Sequence, residues 1–83
     1  MNEVIIYTKK ICPFCDRAKD LMNSKGWSYT EIDLDLHPDK IQEMLKLSKR
    51  RTVPQIFIGG VHVGGCDDLY DLNAAGKLEE FFQ

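Results

Sequence analysis

Two cysteines three residues apart, Cys12 and Cys15, carry the most reactive chemistry in this sequence, within Lys9-Lys10-Ile11-Cys12-Pro13-Phe14-Cys15. On a helix that spacing puts both sulfurs on one face, where they can close a disulfide or share an electrophile. Spacing alone permits redox or metal chemistry. Cys12 falls where a first helical turn leaves N–H groups without partners, and those dipoles favour a thiolate. Pro13 suits the first helical position, since its missing N–H costs nothing there. Lys9 adds a cation just before the motif. These features lower a thiol pKa, and the thiolate is the reactive form. Cys12 is therefore read as the nucleophile and Cys15, one turn deeper, as the resolving thiol.

The elements around the pair must present it at the end of a strand. Val4, Ile5, Ile6 and Tyr7 predict a strand over Glu3 to Thr8, buried on both faces. From Pro13, the apolar residues Phe14, Ala18, Leu21 and Met22 recur at helical spacing, and Gly26 supplies a stop. Trp27, Tyr29, Ile32, Leu34 and Leu36 alternate, which predicts a second strand near Ser28 to Asp33. A right-handed crossover would make the two strands parallel. Pro38 opens a second helix with Ile41, Met44, Leu45 and Ser48 on one face and the cluster Lys46, Lys49, Arg50 and Arg51 near its end. Gln55 to Ile58 and Val61 to Val63, joined by Gly59-Gly60, read as a β-hairpin. After Gly64-Gly65, a helical pattern from Cys66 through Leu69, Tyr70 and Leu72 runs to Gly76, and a last turn carries Leu78, Phe81 and Phe82. The expected order is β-α-β-α-β-β-α, an α/β fold with a mixed four-stranded sheet flanked by helices.

Length and composition bound the class. Eighty-three residues, 43% apolar and 10% aromatic, suit a single domain spanning 1–83 with its own core. Eleven basic and thirteen acidic side chains leave a net charge of −2, too slight for a nucleic-acid or membrane-surface binder. No apolar run approaches the roughly 20 residues of a membrane span, and the N-terminus lacks a signal-peptide pattern, so the cytoplasm is expected. Three cysteines do not form a secreted disulfide framework; in a reducing compartment a CxxC pair is more often catalytic or metal-binding.

Four segments in order, Tyr7-Thr8-Lys9, Cys12-Pro13-Phe14-Cys15, Thr52-Val53-Pro54-Gln55-Ile56-Phe57-Ile58 and Gly64-Gly65-Cys66-Asp67-Asp68-Leu69, make the whole chain similar to the glutaredoxin family. It most resembles the small bacterial dithiol glutaredoxins of thioredoxin fold. The resemblance implies a glutathione-dependent thiol–disulfide oxidoreductase. It also implies a cis bond before Pro54, so that the Val53 backbone faces the thiol and pairs with a peptide's own N–H and C=O. Glutathione would be held by Lys9, Cys12, Phe14, Thr52, Val53, Pro54, Gly65, Cys66 and Asp67. The helix start at Gly65-Cys66-Asp67 would take its γ-glutamyl carboxylate and Asp67 its ammonium. Its glycyl carboxylate would meet Lys9, with Arg50 or Arg51 as further cations. The implied partners are glutathione and glutathionylated or disulfide-containing proteins, ribonucleotide reductase among them, acted on by a monomer with no metal. The family most often has tyrosine where this chain has Phe14.

The implied chemistry has two branches. Deglutathionylation needs Cys12 alone; reduction of a protein disulfide also needs Cys15 to resolve the mixed disulfide. Two other functions fit a CxxC chain: a redoxin recharged by thioredoxin reductase, and a protein holding an iron–sulfur cluster between two protomers, which the stiffness of Pro13 disfavours. Cys66 and His62 could complete a Cys3His zinc site on composition alone, but no second CxxC stands at zinc-finger spacing. The Cys66 sulfur is read as a small apolar group at a helix start, and His37 and His62 as surface or hairpin residues.

Overall fold

The computed structural model describes residues 3–82. Strand β1 (Val4–Thr8) leads to helix α1 (Pro13–Ser24), then strand β2 (Thr30–Asp33). A 3-10 turn (Pro38–Lys40) runs into α2 (Ile41–Ser48). Strands β3 (Gln55–Ile58) and β4 (Val61–Gly64) follow, then α3 (Cys66–Ala74) and a 3-10 turn (Leu78–Phe82). The sheet order is β2-β1-β3-β4, with β1 parallel to β2 and antiparallel to β3.

Alternation along the strands builds two cores. Val4 and Ile6 of β1 with Ile56 and Ile58 of β3 meet Ala18, Leu21 and Met22 of α1, Leu69 of α3 and Leu78. On the opposite face Tyr7 and Phe57 pack with Leu34 and Met44, with Ile5, Ile32, Ile41 and Val53 at the margin. Helices α1 and α3 thus cover one side of the sheet and α2 the other. The Tyr7 hydroxyl donates to Glu43 at 2.5 Å and ties β1 to α2. Gly59 and Gly60 both take positive φ, +59° and +81°, as a two-residue turn matched to strand twist requires.

Several expectations shift. Strand β2 begins at Thr30, not Ser28, and Leu36 is exposed beyond its end because the chain turns away after Leu34. Pro38 opens a 3-10 turn, and α2 proper starts at Ile41. Helix α2 stops at Ser48 with Lys49 left-handed at φ +61°, so Arg50 and Arg51 leave the helix. Phe14 shares the helical spacing of Ala18 and Leu21 yet is 53% exposed, while Cys15 beside it is fully buried. Leu69 is fully buried, whereas Tyr70 and Leu72 are only half-buried. Among the described residues, no helix is long and apolar enough to cross a membrane.

Candidate active site

Strand β1 delivers the chain to the reactive pair. After Thr8, the Lys10 N–H donates to Asp35 Oδ2 at 2.8 Å and the Leu34 N–H donates to the Thr8 carbonyl at 2.8 Å. These bonds pin the short loop that carries Ile11, itself almost wholly exposed, to the segment following β2. Cys12 is the N-cap of α1 with extended backbone, and Pro13 occupies the first turn. Cys12 and Cys15 are joined as a disulfide, their Cα atoms 5.2 Å apart. The Cys15 N–H donates to Cys12 Sγ at 3.1 Å, one of the otherwise unpartnered donors of the first turn. Cys15 is fully buried and Cys12 retains a sliver of exposure, so the two sulfurs differ in access.

Across from Cys12, the Val53 carbonyl lies 3.9 Å from its sulfur, in a segment whose Val53–Pro54 bond is cis. Gln55, the first residue of β3 and fully buried, donates from Nε2 to the Thr52 carbonyl at 3.0 Å and to Thr52 Oγ1 at 3.2 Å. Farther back, Ser48 Oγ accepts from the Arg50 N–H at 3.0 Å.

The third side is the start of α3. Gly65 is its N-cap, and the Gly65 N–H donates to Asp68 Oδ2 at 2.9 Å, a carboxylate reaching back over the first turn. The same oxygen accepts from Arg50 Nη1 at 2.8 Å. The Gly65 N–H first, then the Arg50 guanidinium, hold the Asp68 carboxyl below its ordinary range. Gly64, at φ +125°, lies so close that an added Cβ would sit 2.7 Å from Asp68 Cβ. Burial pushes the Cys66 thiol up, opposed by Arg17. Arg17 itself lies 6.0 Å from the Phe14 ring centre and 5.0 Å from that of Tyr70.

Phe14, Thr52, Val53, Pro54, Gly65, Cys66 and Asp67 line one open cleft of about 290 Å³. They are seven of the nine residues expected to hold the ligand. Cys12 borders it through its proximity to Val53. Lys9 is exposed and is not among the lining residues. Arg51 is exposed and also absent from the lining, whereas Arg50 takes part in it. Asp68, read in the sequence only as part of a motif, is a wall of the cleft and the brace of its helix. An acidic residue three places after a glycine N-cap was the signal available for that role. His62 is also more than a hairpin residue: it is half-buried, its ring 4.9 Å from that of Phe57 and its Nε2 2.7 Å from Gln55 Oε1. A larger cleft of about 370 Å³, lined by Glu3, Trp27, Tyr29, Phe82 and neighbours, lies where β1 and β2 begin and contains no thiol. Chemistry therefore selects the smaller cleft. Among the described residues, no three His, Cys, Asp or Glu side chains gather to hold a metal.

A disulfide-forming CxxC at a helix start, beside a cis-proline segment that leads into a mixed four-stranded sheet, defines a thiol–disulfide oxidoreductase of thioredoxin-like fold. Comparison with known proteins narrows the class. The glutaredoxin family profile matches residues 4–63. Glutaredoxin 3 of Escherichia coli K12 is 56% identical over 79 residues, 95% of each chain. A glutaredoxin of Pseudomonas aeruginosa is 49% identical over 79 residues, 95% of this chain and 94% of that one. Among solved structures, the buckwheat glutaredoxin–glutathione complex superposes with a TM-score of 0.87 at 38% identity, covering 96% of this chain and 76% of that one. The solution structure of glutaredoxin from Brucella melitensis gives 0.83 at 55% identity, covering 96% and 87%. The chain belongs to the glutaredoxin family.

Proposed function

We propose that this oxidoreductase draws its electrons from glutathione and reduces glutathione mixed disulfides and protein disulfides, with Cys12 as nucleophile and Cys15 as resolving thiol. The observation that carries the reading is the cleft beside Cys12, whose walls match the parts of a γ-glutamyl tripeptide. The Val53 backbone edge suits its cysteinyl peptide groups, the start of α3 its γ-glutamyl carboxylate, and the exposed Asp67 its ammonium. The glycyl carboxylate is left for Lys9 and Arg50. The relative solved from buckwheat is a complex with glutathione, which supports the same ligand here.

In the reduced protein, the Cys15 N–H that now meets Cys12 Sγ would donate to a thiolate and favour it. That thiolate attacks the glutathione sulfur of a mixed disulfide; the substrate sulfur leaves with the electron pair and takes a proton from water. Cys12 then carries glutathione. A second glutathione thiolate attacks the bound glutathione sulfur, releasing glutathione disulfide and the Cys12 thiolate. The added glutathione and the one that arrived on the substrate thus leave together as glutathione disulfide. With a protein disulfide, Cys12 forms the mixed disulfide and Cys15 displaces the target thiolate, giving the Cys12–Cys15 bond, which two glutathiones then reduce with release of glutathione disulfide. Such a cycle belongs in a reducing compartment, and we place it in the cytoplasm.

The test is NADPH consumption with glutathione, glutathione reductase and a small glutathione mixed disulfide. Cys12→Ser is expected to fall to background and Cys15→Ser to retain turnover. Wild-type inactivity with glutathione, combined with activity under thioredoxin reductase, would overturn the assignment of the cleft.

A further inference from the structure

Gln55 is an anomaly of strand β3. The strand reads Gln-Ile-Phe-Ile, all four residues are buried, and Gln55 has no exposure at all. A carboxamide in that setting costs free energy unless every polar atom finds a partner, and an apolar side chain would fit without that requirement. Its side-chain partners lie in the loop before β3 and on β4. Nε2 donates to both the carbonyl and the hydroxyl oxygen of Thr52. With the amide nitrogen so engaged, Oε1 is left as the acceptor, and His62 Nε2 at 2.7 Å must be the donor. His62 is paired with Phe57 in the β3–β4 ladder and rests on its ring, so the anchor belongs to the sheet itself.

The restrained element is the segment between α2 and β3 that supplies Thr52, Val53 and Pro54 to the cleft. Resting on the glutathione reading, we propose that Gln55, oriented by His62, is a positioning residue for the reaction: it fixes the Thr52–Pro54 edge against which the peptide part of the substrate lies. Because Thr52 Oγ1 accepts from Gln55, the hydroxyl keeps its own hydrogen to donate to an acceptor such as a ligand carboxylate. Gln55 is fully buried and does not line the cleft, so it acts on binding and alignment through Thr52 and Val53.

The experiment measures apparent KM and kcat on a glutathione mixed disulfide, with Tm, for wild type, Gln55→Glu, Gln55→Met and His62→Phe. Gln55→Glu keeps an acceptor for His62 but has no donor for Thr52; Gln55→Met keeps the shape and loses both. Both are expected to raise KM about ten-fold, equivalent to about 1.4 kcal/mol, with kcat within about two-fold. His62→Phe preserves the ring packing and releases the amide, with an expected rise of about three-fold. A KM within about two-fold of wild type in the Gln55 variants despite a lower Tm, or a lower kcat at unchanged KM, would overturn the proposal. Should neither Gln55 variant fold, His62→Phe decides alone, and an unchanged KM refutes the role. Should wild type show no turnover with glutathione, the glutathione reading fails separately. The Thr52 and Val53 amide resonances of the oxidised His62→Phe protein then decide: displacement supports positioning, and coincidence with wild type overturns it.

Discussion

Asp68→Ala removes one carboxylate oxygen that holds two parts of the cleft, and its cost follows from the two bonds. The bond from the Gly65 N–H at 2.9 Å satisfies a donor at the start of α3, and loss of such a cap costs about 1 kcal/mol. The Arg50 contact at 2.8 Å joins side chains 47% and 43% exposed, so solvent screening limits it to about 0.5 kcal/mol. The sum of about 1.5 kcal/mol corresponds to a drop in Tm of roughly 6–12 °C for a chain of this size. The pH dependence provides a sharper check. The folded carboxyl titrates below its ordinary range, so its contribution is fully present above the unfolded value of about 3.9 and is lost as pH falls through the folded value. Thermal unfolding of the oxidised proteins, followed by circular dichroism from pH 7 to about pH 2, should show the gap between wild type and Asp68→Ala shrinking at the acid end. A gap of the same size at both ends, or none at pH 7, would refute the assignment of Asp68 as a charged brace.

Gly64→Ala is expected to cost more, about 2–4 kcal/mol, because a side chain at φ +125° is strained and its Cβ would displace Asp68; urea unfolding measures it, and a loss below about 1 kcal/mol counts against the close packing. Tyr7→Phe should cost about 1 kcal/mol and let the Glu43 carboxyl rise toward its ordinary pKa, since the Tyr7 hydroxyl is the main cause of its lowering. Carbon-detected NMR titration of Glu43 reads this directly; an unmoved titration would show that the hydroxyl does not hold it.

The order of elements, the apolar faces of β1 and α1, the Gly59-Gly60 turn and the placement of Cys12 and Cys15 at a helix start were all legible along the chain. Each depends on residues within a few positions of one another: strand alternation, helical spacing, a proline at the first turn, paired glycines where φ must be positive. The thiol pair and the family resemblance were therefore recognisable before any contact was known. Tertiary structure decided what lies across from the pair. That Arg50 and not Arg51 reaches the cleft depends on the left-handed turn at Lys49. That Phe14 stands at the cleft and not in the core is set by how α1 packs, with Cys15 turned inward in the same turn. The bonds from Gln55 to His62 and Thr52, and from Asp68 to Arg50, join residues whose partners are selected by register and packing. A polar residue in a strand pattern announces that it needs a partner; only the assembled sheet, by setting β4 beside β3 and the loop above both, determines which one it finds.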